Sequence, residues 1–134
     1  MDYVKLGRTG LDVSPIAIGA MTYGEPGHGH PAWSLGEEDS RPLIKHAVEQ
    51  GINFFDTANI YSQGSSEEIL GRALRDFANR DDVVIATKLR NPMRSGPNGK
   101  GLSQFRQAPI TGPSTRRRCI PCSSASTPTC CAGS

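Results

Sequence analysis

Hydrophobic and polar positions follow two different periods along the first hundred residues. Short apolar runs of the kind that form buried strands occupy 15–19, 52–56 and 83–88. Between them, in 37–50 and 65–77, apolar residues recur every three or four positions, as on one face of a helix. Apolar strands that alternate with amphipathic helices are typical of parallel βαβ units with both faces of the sheet covered. The pattern therefore predicts an α/β fold.

Local signals place the ends of these predicted elements. The acidic residues at 37–39 suit the positive N-terminal end of the first helix, and Gly51 suits its C-terminal end. Ser65 and Glu68 fit a capping box that begins the second helix. The residues expected on the apolar face of the first helix are Leu43, Ile44, Ala47 and Val48. Ahead of these elements, two short apolar runs flank the glycine-bounded turn at 7–10 and predict a small hairpin.

Composition changes abruptly after Ser103. Residues 1–103 hold eleven Lys or Arg and all thirteen Asp or Glu, whereas the whole chain carries a net charge of +2. Residues 104–134 hold four Arg, no acid, all four cysteines, and neither Leu nor Val. Such a segment buries too little apolar surface to offset the entropy of ordering it. We therefore interpret 1–103 as globular sequence and 104–134 as a disordered tail.

Hydropathy, charge and cysteine spacing exclude several classes of protein. The chain has no run of eighteen apolar residues, which argues against a membrane-spanning helix. Residues 1–10 lack the apolar core of a signal peptide, so we expect a cytoplasmic protein. A net charge of +2 does not favour nucleic acid as a partner. The spacing of Cys119, Cys122 and the adjacent pair at 130–131 suits a tetrahedral metal site poorly, so we expect no metal.

Charged side chains mark the ends of two predicted strands. Asp56 follows the apolar run at 52–55, Lys88 ends the run at 83–88, and Tyr61 lies in the loop after Asp56. Because working residues of parallel α/β folds lie at the carboxyl ends of strands, all three are expected on one face. One interpretation is a functional Asp–Tyr–Lys trio. The other interpretation is that Asp56 caps a turn, Tyr61 packs on the surface and Lys88 is solvated. Spacing alone does not decide between the two interpretations.

The residues around this trio resemble those of a known family. The run FFDTA at 54–58, followed by Tyr61 and by SEEILG at 66–71, is similar to the signature of the aldo-keto reductases. Further segments that agree with this family are 6–11, 18–21 and 84–88. The similarity extends from near residue 2 to Ser103. It is greatest to the branch that includes potassium-channel β-subunits and aryl-alcohol dehydrogenases.

The resemblance implies the fold, the reaction and the residues of the site. It implies a (β/α)8 barrel that reduces small-molecule aldehydes and ketones with NADPH. Asp56, Tyr61 and Lys88 would be catalytic. The residues that would bind the cofactor are Gly19, Ala20, Met21 and Asp56.

The implied chemistry suits these residue types. Hydride transfer to a carbonyl carbon leaves an alkoxide that needs a proton. A free phenol has a pKa of about 10 and is a weak donor at neutral pH, but a neighbouring ammonium lowers the pKa of a phenol. Lys88 would supply the ammonium, and Asp56 would hold Lys88 by a charge-assisted hydrogen bond. Tyr61 would be the general acid.

The resemblance ends where the composition changes. The family's catalytic histidine ends its fourth strand, but no histidine follows His46 in this chain. We therefore interpret 104–134 as a frame-shifted tail and the chain as an incomplete barrel: a hairpin, three strands and two helices. Three of eight strands do not close a barrel, so we expect the chain to be inactive on its own. The alternative function is a non-catalytic truncated product, or a remnant that binds the cofactor or a partner.

Overall fold

The computed structural model describes residues 1–25, 27, 32–97 and 99. In this part of the chain, a hairpin precedes a strand–helix–strand–helix–strand unit. The strands are β1 (Val4–Lys5), β2 (Asp12–Val13), β3 (Ile18–Gly19), β4 (Phe54–Asp56) and β5 (Val84–Ala86). The helices are α1 (Glu37–Glu49) and α2 (Ser65–Phe77). The predicted tail, 104–134, lies outside the described residues.

The hairpin and the βαβ units have the predicted topology. β1 and β2 are antiparallel, whereas β3, β4 and β5 form a parallel sheet in that order. Each parallel connection carries one helix, as a crossover between parallel strands requires. The strands are shorter than the apolar runs that predicted them. Lys88, which was expected to end the third run as part of the strand, lies two residues beyond β5.

The core lies between the sheet and the two helices. Phe55 is fully buried at the centre of β4, and its register partners Ile18 and Ile85 lie on either side of it. The buried members of this core are Ala20, Tyr23, Ile44, Phe55, Ile69, Leu70, Ala73, Leu74 and Val83. Side chains alternate along a strand, so Phe54 and Val84 face the other way, where they are only half-buried. Among the described residues, the expectation that both sheet faces are covered is therefore wrong, because both helices pack on the same face.

Charged contacts between the helices support this packing. The Arg72 guanidinium donates to both carboxylate oxygens of Glu37, at 2.7 Å and 3.0 Å. Arg41 likewise donates to Asp76 at 2.7 Å. The hydrogen bond from Arg72 holds the pKa of Glu37 below its usual range. These pairs link α1 to α2 directly.

Two predicted details of the helices are wrong. Ile44 and Ala47 are buried as expected, but Leu43 is 50% exposed. Leu43 is one position, or about 100°, away from Ile44 around the helix, outside the stripe that meets the sheet. The capping box is also wrong, since the N-cap of α2 is Gly64 and Ser65 is the first helical residue.

The Ser65 hydroxyl has a different role from the predicted cap. It donates to the Ser62 carbonyl at 2.9 Å and accepts from the Glu25 N–H at 3.1 Å. The side chain therefore joins the loop after β3 to the turn before α2. In the described part of the chain, neither helix has the length or the apolar character needed to cross a membrane.

Replacing Ile44 or Leu43 by alanine tests the orientation of α1. We expect Ile44→Ala to lower the free energy of unfolding by about 2–5 kcal/mol, because it leaves a cavity in the core. Leu43→Ala, its neighbour of equal size, should change it by less than about 0.5 kcal/mol. Urea unfolding followed by circular dichroism measures both values. Equal losses for the two variants would contradict the described helix orientation.

Candidate active site

The carboxyl ends of β4 and β5 bring two charged residues together. Asp56 is the last residue of β4, and its register partner on β5 is Ala86. Lys88 follows Ala86 by two residues, so the parallel pairing places both side chains at the same edge of the sheet. Tyr61 begins the turn Tyr61–Gly64, directly after the loop that leaves β4.

The Lys88 ammonium contacts three oxygens at this edge. Its Nζ donates to Asp56 Oδ2 at 2.6 Å and to the Tyr61 phenol oxygen at 3.3 Å. It also donates to the Thr57 carbonyl at 3.1 Å. An ammonium has three donors, so each has an acceptor here. The structure thus brings the three sequence-predicted residues into one cluster, which we call the Asp–Tyr–Lys cluster; their catalytic roles stay a prediction.

The electrostatics of the cluster favour a charged lysine. The hydrogen bond to Asp56 raises the pKa of Lys88 above its ordinary value, and the hydrogen bond to Tyr61 acts in the same direction. The side chains of Lys88 and Asp56 remain 50% and 42% exposed. The cluster therefore favours the charged form of Lys88 and is open to a ligand.

The residues expected to line a cofactor lie beside this cluster, but they are not equally accessible. Gly19 is the register partner of Asp56 on β3, it is exposed, and the space that a Cβ would occupy there is open. Met21 is 47% exposed, whereas Ala20 is fully buried in the core. Gly19, Met21 and Asp56 therefore offer surface at this edge. An open glycine edge beside a hydrogen-bonding carboxylate fits a flat, polar ring such as nicotinamide.

The first turn of α2 holds the ends of all three parallel strands. Ser66 Oγ donates to the Ala20 carbonyl at 2.6 Å, after β3, and lies 3.3 Å from Thr57 Oγ1, after β4. Thr87, after β5, donates through Oγ1 to Glu67 Oε1 at 2.5 Å. Each contacted residue is the chain neighbour of a residue in the candidate site. These contacts could not be predicted from the sequence, because no local pattern pairs a helix turn with three separate strand ends.

The turn that carries Tyr61 packs closely against the loop after β3. Ser62 and Gln63 have positive φ angles of 59° and 49°, which are uncommon for residues other than glycine. The Ser62 hydroxyl donates to the Tyr23 carbonyl at 3.4 Å. A Cβ at Gly24 would overlap the Ser62 hydroxyl, so this approach requires glycine. The turn that carries Tyr61 is therefore held against the loop after β3.

Comparison with known proteins agrees with the described fold and gives the family. The model of the Aldo/keto reductase family matches residues 15–125, which extends past Ser103. Versiconal hemiacetal acetate reductase from Aspergillus parasiticus is 49% identical over 89 residues, 66% of this chain and 25% of that protein. A probable voltage-gated potassium channel subunit beta from Oryza sativa subsp. japonica is 42% identical over 106 residues, 78% of this chain and 30% of that protein.

Solved structures give the same result. An aldo-keto reductase from Bacillus halodurans, solved in its holo form, matches with a TM-score of 0.57 and 33% identity, over 75% of this chain and 30% of that one. This chain belongs to the aldo/keto reductase family. Its described fold corresponds to part of the (β/α)8 barrel of these enzymes, as predicted. The chain spans between 25% and 30% of the length of these three relatives.

Removing the Asp56 carboxylate tests the electrostatics of the cluster. We expect Asp56→Asn to lower the pKa of Lys88 toward that of an ordinary lysine, because the hydrogen bond that favours the charged form loses its anionic acceptor. A pH titration of the Lys88 ε-methylene resonance, in protein with isotope-labelled lysine, measures this pKa.

Asp81→Asn, in the turn before β5, removes an equal charge away from the cluster and is the matched control. It should leave the Lys88 titration unchanged. An unchanged Lys88 pKa in Asp56→Asn would show that the two side chains do not interact in solution.

Proposed function

We propose that the Asp–Tyr–Lys cluster belongs to a site that reduces aldehydes or ketones to alcohols with NADPH. The observation that carries this proposal is the contact of one ammonium with both a carboxylate and a phenol, at 2.6 Å and 3.3 Å. Membership of the aldo/keto reductase family supports it, as does a relative named as a reductase. NADPH, when bound, supplies the hydride that adds to the carbonyl carbon.

Tyr61 is the proton donor in this proposal. Lys88 donates to the phenol oxygen, so the phenol's own hydrogen stays available for a ligand oxygen. As the carbonyl oxygen gains negative charge, it takes that proton from Tyr61, and solvent later restores it. The Lys88 ammonium stabilises the phenolate left behind, because opposite charges at this distance attract. The overall change converts a carbonyl, a hydride and a proton into an alcohol.

The remaining site residues position these groups. Asp56 holds the Lys88 ammonium at hydrogen-bonding distance from Tyr61, in addition to its proposed contact with the cofactor. Gly19, Met21 and Asp56 would hold the nicotinamide through their exposed surface, with Ala20 supporting the loop from the core. The substrate class is a small-molecule carbonyl compound. A cytoplasmic location stays a prediction.

A grafted barrel tests the role of Tyr61. Residues 2–97 of this chain would replace the corresponding segment of the Bacillus halodurans relative, and NADPH oxidation would be followed with 4-nitrobenzaldehyde as substrate. We expect Tyr61→Phe to lower kcat by about 100-fold or more, since a general acid contributes about 10²–10⁴-fold.

The control in the same graft is Tyr3→Phe. The Tyr3 hydroxyl donates to the Gly51 carbonyl at 3.0 Å, at the amino end of β4, away from the cluster. Its loss should change kcat by no more than about twofold, or about 0.4 kcal/mol, because this hydroxyl lies away from the reacting groups. Equal rates for Tyr61→Phe and the unsubstituted graft would overturn the proposal.

A second candidate is that the unaltered chain is a non-catalytic product or a cofactor-binding or partner-binding remnant. The observation that favours it is the three-stranded sheet of the described residues, in which β5 is an outer strand. We expect the purified 134-residue chain to show no NADPH oxidation above a blank. Turnover that disappears in Tyr61→Phe would contradict this expectation.

A further inference from the structure

One buried polar side chain lies between the two halves of the Asp–Tyr–Lys cluster. Asn59 is on the loop that leaves β4, between Asp56 and Tyr61, and it is 7% exposed. Asn59 lies beside the segment 88–91, which follows β5. Asn59 thus lies where the chain that carries Tyr61 meets the chain that carries Lys88.

The backbone and side-chain N–H groups of Asn59 all point to that segment. Its backbone N–H donates to the Lys88 carbonyl at 3.0 Å. Its side-chain Nδ2 donates to the carbonyls of Leu89 and Asn91, at 3.4 Å and 3.3 Å. One residue therefore binds three carbonyls that lie within four positions of one another.

Within the described part of the chain, only the NH2 half of the Asn59 amide finds partners, so the fit of asparagine at this position depends on its two N–H donors. Asn59 Oδ1 is buried and finds no hydrogen-bond partner among the described residues. Burying an acceptor without a partner is unfavourable, and an apolar side chain would avoid that cost. An aspartate would instead direct charged oxygens at two carbonyls. The environment thus suits the NH2 group, which alone among side chains of this size supplies two donors.

We propose that Asn59 is a positioning residue whose side-chain amide holds the segment 88–91 so that the Lys88 ammonium reaches both Asp56 and Tyr61. The catalytic meaning of this role rests on the proposed function, but the contacts themselves do not. Small displacements at a site of this kind lower the reaction rate strongly, since a misplacement of about 1 Å can lower it about 100-fold.

The test uses the full chain and the titration of Lys88. Asn59→Ala removes both Nδ2 hydrogen bonds and adds no charge. We expect the pKa of Lys88 to fall toward that of an ordinary lysine, because the ammonium then spends less time at Asp56. In an Asp56→Asn background, Asn59→Ala should produce a smaller fall, since the larger of the two pKa-raising contacts that it supports is already lost.

Asn53→Ala is the matched control. Asn53 precedes β4 and also uses its side chain in two hydrogen bonds, from the Ser14 N–H at 2.8 Å and to the Asp12 carbonyl at 3.0 Å. Its loss should destabilise the hairpin attachment and leave the Lys88 titration unchanged. A folded Asn59→Ala chain with an unchanged Lys88 pKa, or an equal fall in Asn53→Ala, would overturn the proposal.

A measurement on the unsubstituted chain covers the case in which Asn59→Ala does not fold. The Asn59 side-chain amide protons should exchange with solvent much more slowly than those of Asn79, which is exposed. Equal exchange rates would overturn the proposal. Neither readout requires turnover, so a failed reductase assay and a failed positioning test remain distinguishable.

Discussion

Parallel pairing of β4 with β5 is the constraint on which the site depends. The register sets Asp56 opposite Ala86, so the chain that continues to Lys88 leaves the sheet beside the carboxylate. A shift of one residue would turn the Asp56 side chain toward the opposite face of the sheet, since side chains alternate along a strand. The same register places Ile85 beside the buried Phe55, and the pairing of β3 with β4 places Ile18 on its other side. Core packing and site geometry therefore both depend on the backbone pairing of the parallel sheet.

Further contacts hold the loops that follow the strands, and these contacts define the geometry of the Asp–Tyr–Lys cluster. Ser66 and Glu67, in the first turn of α2, contact the residues that follow β3, β4 and β5. Asn59 adds contacts between the two loops that carry Tyr61 and Lys88. Loops that leave a sheet are mobile unless such contacts hold them, and a reacting group needs a fixed position. The helix turn and the buried amide are thus as important to the geometry as the three charged or phenolic groups.

Much of this arrangement could be predicted from the sequence, because it depends on local patterns. Apolar runs and helical periodicity indicated the correct order of strands and helices. The charged ends of the runs indicated that Asp56 and Lys88 lie at one edge of the sheet, but spacing alone left open whether they meet. The details that failed depend on contacts between distant parts of the chain. Leu43 fits a helical stripe, but only the packing partner decides where that stripe ends. Ser65 fits a cap, but Glu25 and Ser62 bind its hydroxyl instead.

The convergence of Tyr61 and Lys88 is the central claim, and proximity in solution tests it most directly. The Lys88 ammonium lies 5.1 Å from the centre of the Tyr61 ring. A nuclear Overhauser measurement on the folded chain should show a cross-peak between the Lys88 ε-methylene protons and the Tyr61 ring protons. A folded chain in which the Tyr61 ring contacts other neighbours and gives no such cross-peak would contradict this convergence.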